Sequence, residues 1–127
     1  MIVKPHPIKT PIKEHNAIKE AIASWHKTYE DRFRVSSQFG RVLNVASGPA
    51  WKTLRQIEAD IAFFFPETPD TQAAISARLR EVSPSLCGLV KQRRQYTSDS
   101  GKQVHVYRLV PAAWLALTHG NHLEKAA

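Results

Sequence analysis

The chain is poor in the residues that would tie it to most specialised classes. It has one cysteine, Cys87, so no internal disulfide can form, and this fits a reducing cytosol. It has no run of about 18 apolar residues, which argues against a membrane span. Its N-terminal residues, Met1-Ile2-Val3-Lys4-Pro5, have no apolar signal core, so a cytoplasmic location is expected. Glycine is scarce, five in 127 residues, and none of the five sits in a Walker or dinucleotide-type phosphate loop. Ser, His and Asp occur without a nucleophile-elbow motif. Acidic residues are few in the basic half, so a two-metal nuclease cluster is not supported. His119 and His122 have the only helix-compatible ligand spacing among the six histidines, with no cysteine nearby. No enzyme and no cofactor is expected.

What is abundant is positive charge, and it is unevenly placed. The net charge is +7. Residues 1–34 carry +3 and residues 35–70 carry −1. Residues 71–108 hold seven Lys/Arg against Glu81 and Asp99, for +5. A concentrated basic segment suits a polyanion, since each neutralised phosphate releases counterions. A basic solvated face that only maintains solubility is the plainer alternative.

Element signals follow in order. Residues 1–15 contain Pro5, Pro7 and Pro11 and read as a flexible basic arm. Ile18, Ala21, Ile22, Trp25, Tyr29 and Phe33 form one stripe of a helix over 16–34. A second helix spans about 36–46, with Val35, Phe39, Val42, Leu43 and Ala46 buried and Ser47-Gly48-Pro49 as its stop. Thr53 and Gln56 make a capping box for a third, with Leu54, Ile57 and Ile61 inward. Phe63-Phe64-Phe65-Pro66 is the densest apolar patch and reads as core. Thr68-Pro69-Asp70-Thr71 opens a fourth helix, with proline in its first turn and an acid near its positive end. Its buried positions are Ile75, Leu79 and Val82; Ala73, Ser76, Ala77 and Arg80 point outward, with Gln72 and Arg78 on the flanks. Ser83-Pro84-Ser85 breaks it. Two strands, 89–96 and 103–110, flank a polar turn and form a hairpin with Val90, Tyr107 and Leu109 inward and Lys91, Arg93 and Lys102 outward. A short apolar helix with Trp114, Leu115 and Leu117 follows, and 119–127 reads as a frayed tail.

This is a mainly α chain with one small hairpin, an α+β class, folded as a single domain over 16–118. Trp51-Lys52-Thr53-Leu54-Arg55-Gln56-Ile57, Ala74 to Val82 continuing to Gly88-Leu89-Val90, and Val104-His105-Val106-Tyr107-Arg108-Leu109 together resemble winged helix-turn-helix proteins. The likeness is to small bacterial and phage-encoded members and, more distantly, to MarR-type regulators. It covers 36–110 at most, with an extra helix before it and a short one after.

The resemblance implies a double-stranded DNA-binding protein, a transcriptional regulator of bacterial or phage type, whose helix over 69–82 enters the major groove. Gln72, Ser76 and Arg80 would read base edges, and Arg78 a phosphate or a base. Lys91, Arg93, Arg94 and Lys102 would lie on backbone or in an adjacent minor groove. Thr53 and Arg55 would meet a phosphate at a helix N-terminus. The 16–34 helix is a candidate homodimer seam. Fold does not fix function, so two other readings stand: a module that docks on a host protein, and an accessory replication or recombination factor. The link between the two reader helices, about Phe65 to Pro69, is longer than the usual three or four residues.

Overall fold

The computed structural model describes residues 6–29 and 32–118. Expectations for 1–5 and for the tail 119–127, including the His119–His122 pair, lie outside the described residues. Among the described residues, six helices and one antiparallel hairpin make up the α+β fold: α1 (Ile12–Tyr29), α2 (Gln38–Ala46), α3 (Leu54–Phe64), α4 (Gln72–Arg80), α5 (Pro84–Cys87), β1 (Leu89–Thr97), β2 (Gln103–Pro111) and α6 (112–118). Among the described residues no helix is long and apolar enough to cross a membrane.

α1 starts four residues before the expected Asn16. Pro11 fixes its own φ, and its carbonyl accepts the first ladder bond from His15 N–H at 2.8 Å. The helix is described to Tyr29, and Arg32, Phe33 and Arg34, expected within it, are not helical. Ser37 caps α2 by accepting from Gly40 N–H, so the helix begins at Gln38 and Val35, expected on its buried face, lies outside it and is exposed. The capping box of α3 forms as expected: the Thr53 hydroxyl accepts from Gln56 N–H at 3.0 Å, and Gln56 Oε1 accepts from Thr53 N–H at 2.8 Å. α4 is capped by the Thr71 hydroxyl, so the expected opening at Thr68–Pro69 is corrected. Residues 65–71 are the connection. Where Ser83-Pro84-Ser85 was expected only to break α4, it begins the one-turn α5, with Ser83 as cap and Pro84 in the first turn.

The main core joins Val42, Leu43, Val45 and Ala46 of α2, Ile57 and Ile61 of α3, and Ile75 and Leu79 of α4. Trp25, Cys87, Leu89 and Leu109 complete it. β1 and β2 pair in register from Leu89↔Pro111 to Thr97↔Gln103. On the outer edge of β2, Lys52 and Tyr107 exchange backbone hydrogen bonds at 2.9 and 2.7 Å. The segment between α2 and α3 thus serves as a one-residue third strand.

Strand alternation corrects the expected inward set. Leu89, Lys91, Arg93, Tyr107 and Leu109 share the face toward the α2–α4 core, whereas Val90 lies on the other face opposite Val110. That second face is covered as well, because β2 packs against α1. Ile18, Trp51, Val106 and Val110 are all buried. Arg108 sits among them at 3% exposure. Its Nε donates to Gln92 Oε1 at 2.7 Å, and its Nη1 reaches Glu14 Oε2 at 3.1 Å and the Pro49 carbonyl at 3.3 Å. Its guanidinium lies 4.3 Å from the Trp51 ring centroid. One of the seven basic residues of the 71–108 segment is therefore an internal brace.

Gly88 adopts φ +70° where α5 hands over to β1. A side chain there would meet the Tyr29 hydroxyl at 2.8 Å, so the left-handed turn and the close approach of α1 both require glycine.

Candidate nucleic-acid interface

The orientation of α4 is set by a contact between residues far apart in sequence. Asp70, just before the Thr71 cap, accepts two bonds from the Arg41 guanidinium on α2, at 2.9 and 3.0 Å, and one from Gln38 at 2.9 Å. Arg41 also donates to the carbonyls of Val35 and Ser36. Both charged groups are buried. The Arg41 hydrogen bonds hold the Asp70 carboxyl below the usual carboxylate range, and the bond to Asp70 raises Arg41. Asp70 therefore does not serve as the helix-dipole acid expected from sequence. It fastens the seven-residue link to α2 and so fixes where α4 begins.

With Ile75 and Leu79 turned into the core, Ala73 and Arg80 are exposed and Ser76 and Ala77 half-buried on the opposite side. Arg80 has no ion pair among the described residues. Two neighbours on the helix are engaged: Gln72 Nε2 donates to Glu58 Oε1 on α3 at 3.0 Å, and Arg78 Nη2 pairs with Glu81 at 2.8 Å. The Nε of Arg78 is buried without a hydrogen-bond partner among the described residues. Any outside partner of Gln72 or Arg78 must displace these contacts, whereas Arg80 has none to displace among the described residues.

On the hairpin, Arg93, Arg94 and Lys102 are exposed and Lys91 is half-buried. None of the four has an ion pair among the described residues. They divide between two faces. Lys91 and Arg93 lie on the side of the α2–α4 core, while Arg94 is on the other, its guanidinium 5.5 Å from the Trp51 ring centroid. The turn is closed by Ser98 N–H to the Lys102 carbonyl, with Gly101 at φ +83°.

At the start of α3, the hydroxyl and the amide of Thr53 are both consumed by the capping box, so Thr53 holds the helix end in shape. Arg55 is exposed in the first turn. Lys52 is occupied elsewhere, with its ammonium on Asp60 at 2.9 Å and on the Val45 carbonyl at 2.9 Å.

Two features depart from the sequence expectations, although exposure within the Phe63–Phe65 patch fits the alternative of a module that docks on a host protein. Phe63 and Phe64, expected in the core, are 77% and 62% exposed, and their rings meet edge-to-face at 5.0 Å. Residues 6–11 are anchored along the 49–51 segment and reach the hairpin at Tyr96. No cluster of three potential metal ligands exists among the described residues. Comparison with protein-family models, with curated proteins and with solved structures found no match.

Proposed function

We propose that the chain is a winged helix-turn-helix protein that binds double-stranded DNA and acts as a transcriptional regulator of bacterial or phage type. In this reading α2, the Lys52 bridge, α3, α4 and the β1–β2 hairpin are the helix, strand, helix, helix and wing of that fold. The carrying observation is the hairpin: Arg93, Arg94 and Lys102 are exposed and Lys91 half-buried, all four without carboxylate partners among the described residues. α4, seated on the same core, offers a face of small side chains ending in Arg80, which has no ion pair among the described residues. Small side chains permit close approach to a groove, and arginine can make a bidentate contact to guanine. Lys91, Arg93, Arg94, Lys102 and Arg55 hold phosphates; Arg80 and Ser76 face bases.

The test is selection of bound duplexes from a random pool by the wild-type chain and by Arg80→Ala. Loss of preference at one base position, with an affinity cost of about 1–3 kcal/mol, is the expected result. A chain that selects nothing and binds no duplex at low salt does not have this function.

The exposed Phe63–Phe64 pair supports a second reading, a winged-helix module that docks on a host protein. Binding to DNA with both phenylalanines replaced, at unchanged affinity, separates the two surfaces.

A further inference from the structure

Residues 6–10 approach the tip of the hairpin as a held segment. His6 is buried, and its Nε2 lies 2.6 Å from the Trp51 carbonyl oxygen. That oxygen can only accept, so Nε2 carries the proton. Nδ1 accepts from Ile8 N–H at 3.1 Å. The two bonds together define one neutral tautomer with both ring nitrogens satisfied. Four residues on, the Thr10 hydroxyl donates to the Pro49 carbonyl. Between these anchors stands Pro7, and Pro11 follows, each with a restricted φ. The imidazole of His6 faces Tyr96 with ring centroids 6.0 Å apart. A notch of about 480 Å³ opens between His6, Pro7 and Lys9 on one side and residues 96–99 on the other.

Lys9 is exposed at this notch and has no ion pair among the described residues. It lies beside the hairpin strand whose preceding residues carry Arg94 on the Trp51 face. Asp99 is the acid on the notch. A hairpin entering a minor groove presents one face to each phosphate strand. Arg93 lies on one face of the hairpin, and Arg94 with the held segment on the other, so in the DNA reading they would meet opposite strands.

We infer that residues 6–10 are a third, pre-anchored element of the nucleic-acid interface, in which Lys9 holds a backbone phosphate beside the hairpin. This rests on the DNA reading above. Because the anchors already fix the backbone, Lys9 engages a phosphate with less ordering cost than a lysine on a loose arm.

The experiment is a fluorescence anisotropy titration of the full chain against one duplex at several salt concentrations. It compares wild type, Lys9→Ala, and Lys19→Ala on the exposed side of α1. Loss of one phosphate contact makes the slope of log Kobs against log[salt] shallower by about 0.9, a loss of about 8-fold in affinity at 0.1 M salt. Lys9→Ala is expected to show this and Lys19→Ala is not. An unchanged slope in Lys9→Ala, or an equal loss in both variants, overturns the inference and leaves DNA binding standing. Failure of the wild-type chain to bind any duplex overturns both.

Discussion

Asp70 shows how one carboxylate can decide the position of a helix. It is buried, which disfavours the charge, but the bidentate bond to Arg41 and the bond to Gln38 outweigh that and favour the charged form. Its folded pKa is below the unfolded value of about 3.9, so the pair stabilises the fold above that pH and the contribution fades as pH falls through the folded value. Asp70→Asn leaves the Arg41 guanidinium buried without an anion. It is expected to cost about 3 kcal/mol at neutral pH, since breaking a buried pair strands the remaining charge. Thermal unfolding followed by circular dichroism from pH 7 down to pH 3 should show the two proteins converging as wild type loses the pair. A constant gap across that range would mean that the carboxylate charge contributes nothing. Neither partner was readable as a partner: 29 residues separate Arg41 from Asp70, and position 70 carries a plausible local role as a helix-dipole acid. Arg108 misleads in the same way, because counting charge along a segment cannot tell a cation held by Glu14, Gln92 and Trp51 from one that faces solvent.

At the scale of elements, legibility followed local chemistry. The Thr53–Gln56 capping box and the Ile57–Ile61 stripe define α3 from sequence, and both are present as read. Of the three phenylalanines at its end only Phe65 packs as core, because apolarity alone carries no angle. From Ile61, a turn of about 100° per residue carries Phe63 about 200° and Phe64 about 300° around the helix. Phe63 therefore points directly away from the core and Phe64 to its flank, while Phe65, at the cap, packs back onto it. Replacing Phe63 and Phe64 together by Gln is expected to change the free energy of unfolding by less than about 1 kcal/mol, as for surface positions. Ile61→Ala should cost about 2–5 kcal/mol. Urea denaturation of the two variants distinguishes them, and a loss above about 2 kcal/mol in the double variant would place the rings among the packing groups after all. Strand parity was harder to fix than helix phase. Leu89 and Val90 are both apolar, and only the pairing with Pro111 and Val110 decides which one meets the α2–α4 core.

For the molecule as a whole, the excess of +7 is less available than its size suggests. Arg41, Lys52, Arg78 and Arg108 are each bound to a carboxylate. The cations left to meet a backbone at the proposed interface are Arg55, Lys91, Arg93, Arg94 and Lys102, with Lys9 as the added contact. Five phosphates neutralised by one chain give a slope of log Kobs against log[salt] of about −4.5, and the Lys9 contact steepens it to about −5.4. A pair of chains on a two-fold site doubles these values, because each copy brings its own set. Measuring the slope between 50 and 200 mM salt, together with the stoichiometry at saturation, therefore reports the number of chains bound as well as the contacts each one makes. A slope per chain shallower than about −2 would mean that the hairpin cations do not reach phosphate. The basic segment would then be a solvated face, and the exposed edge of α3 would become the stronger candidate for a working surface.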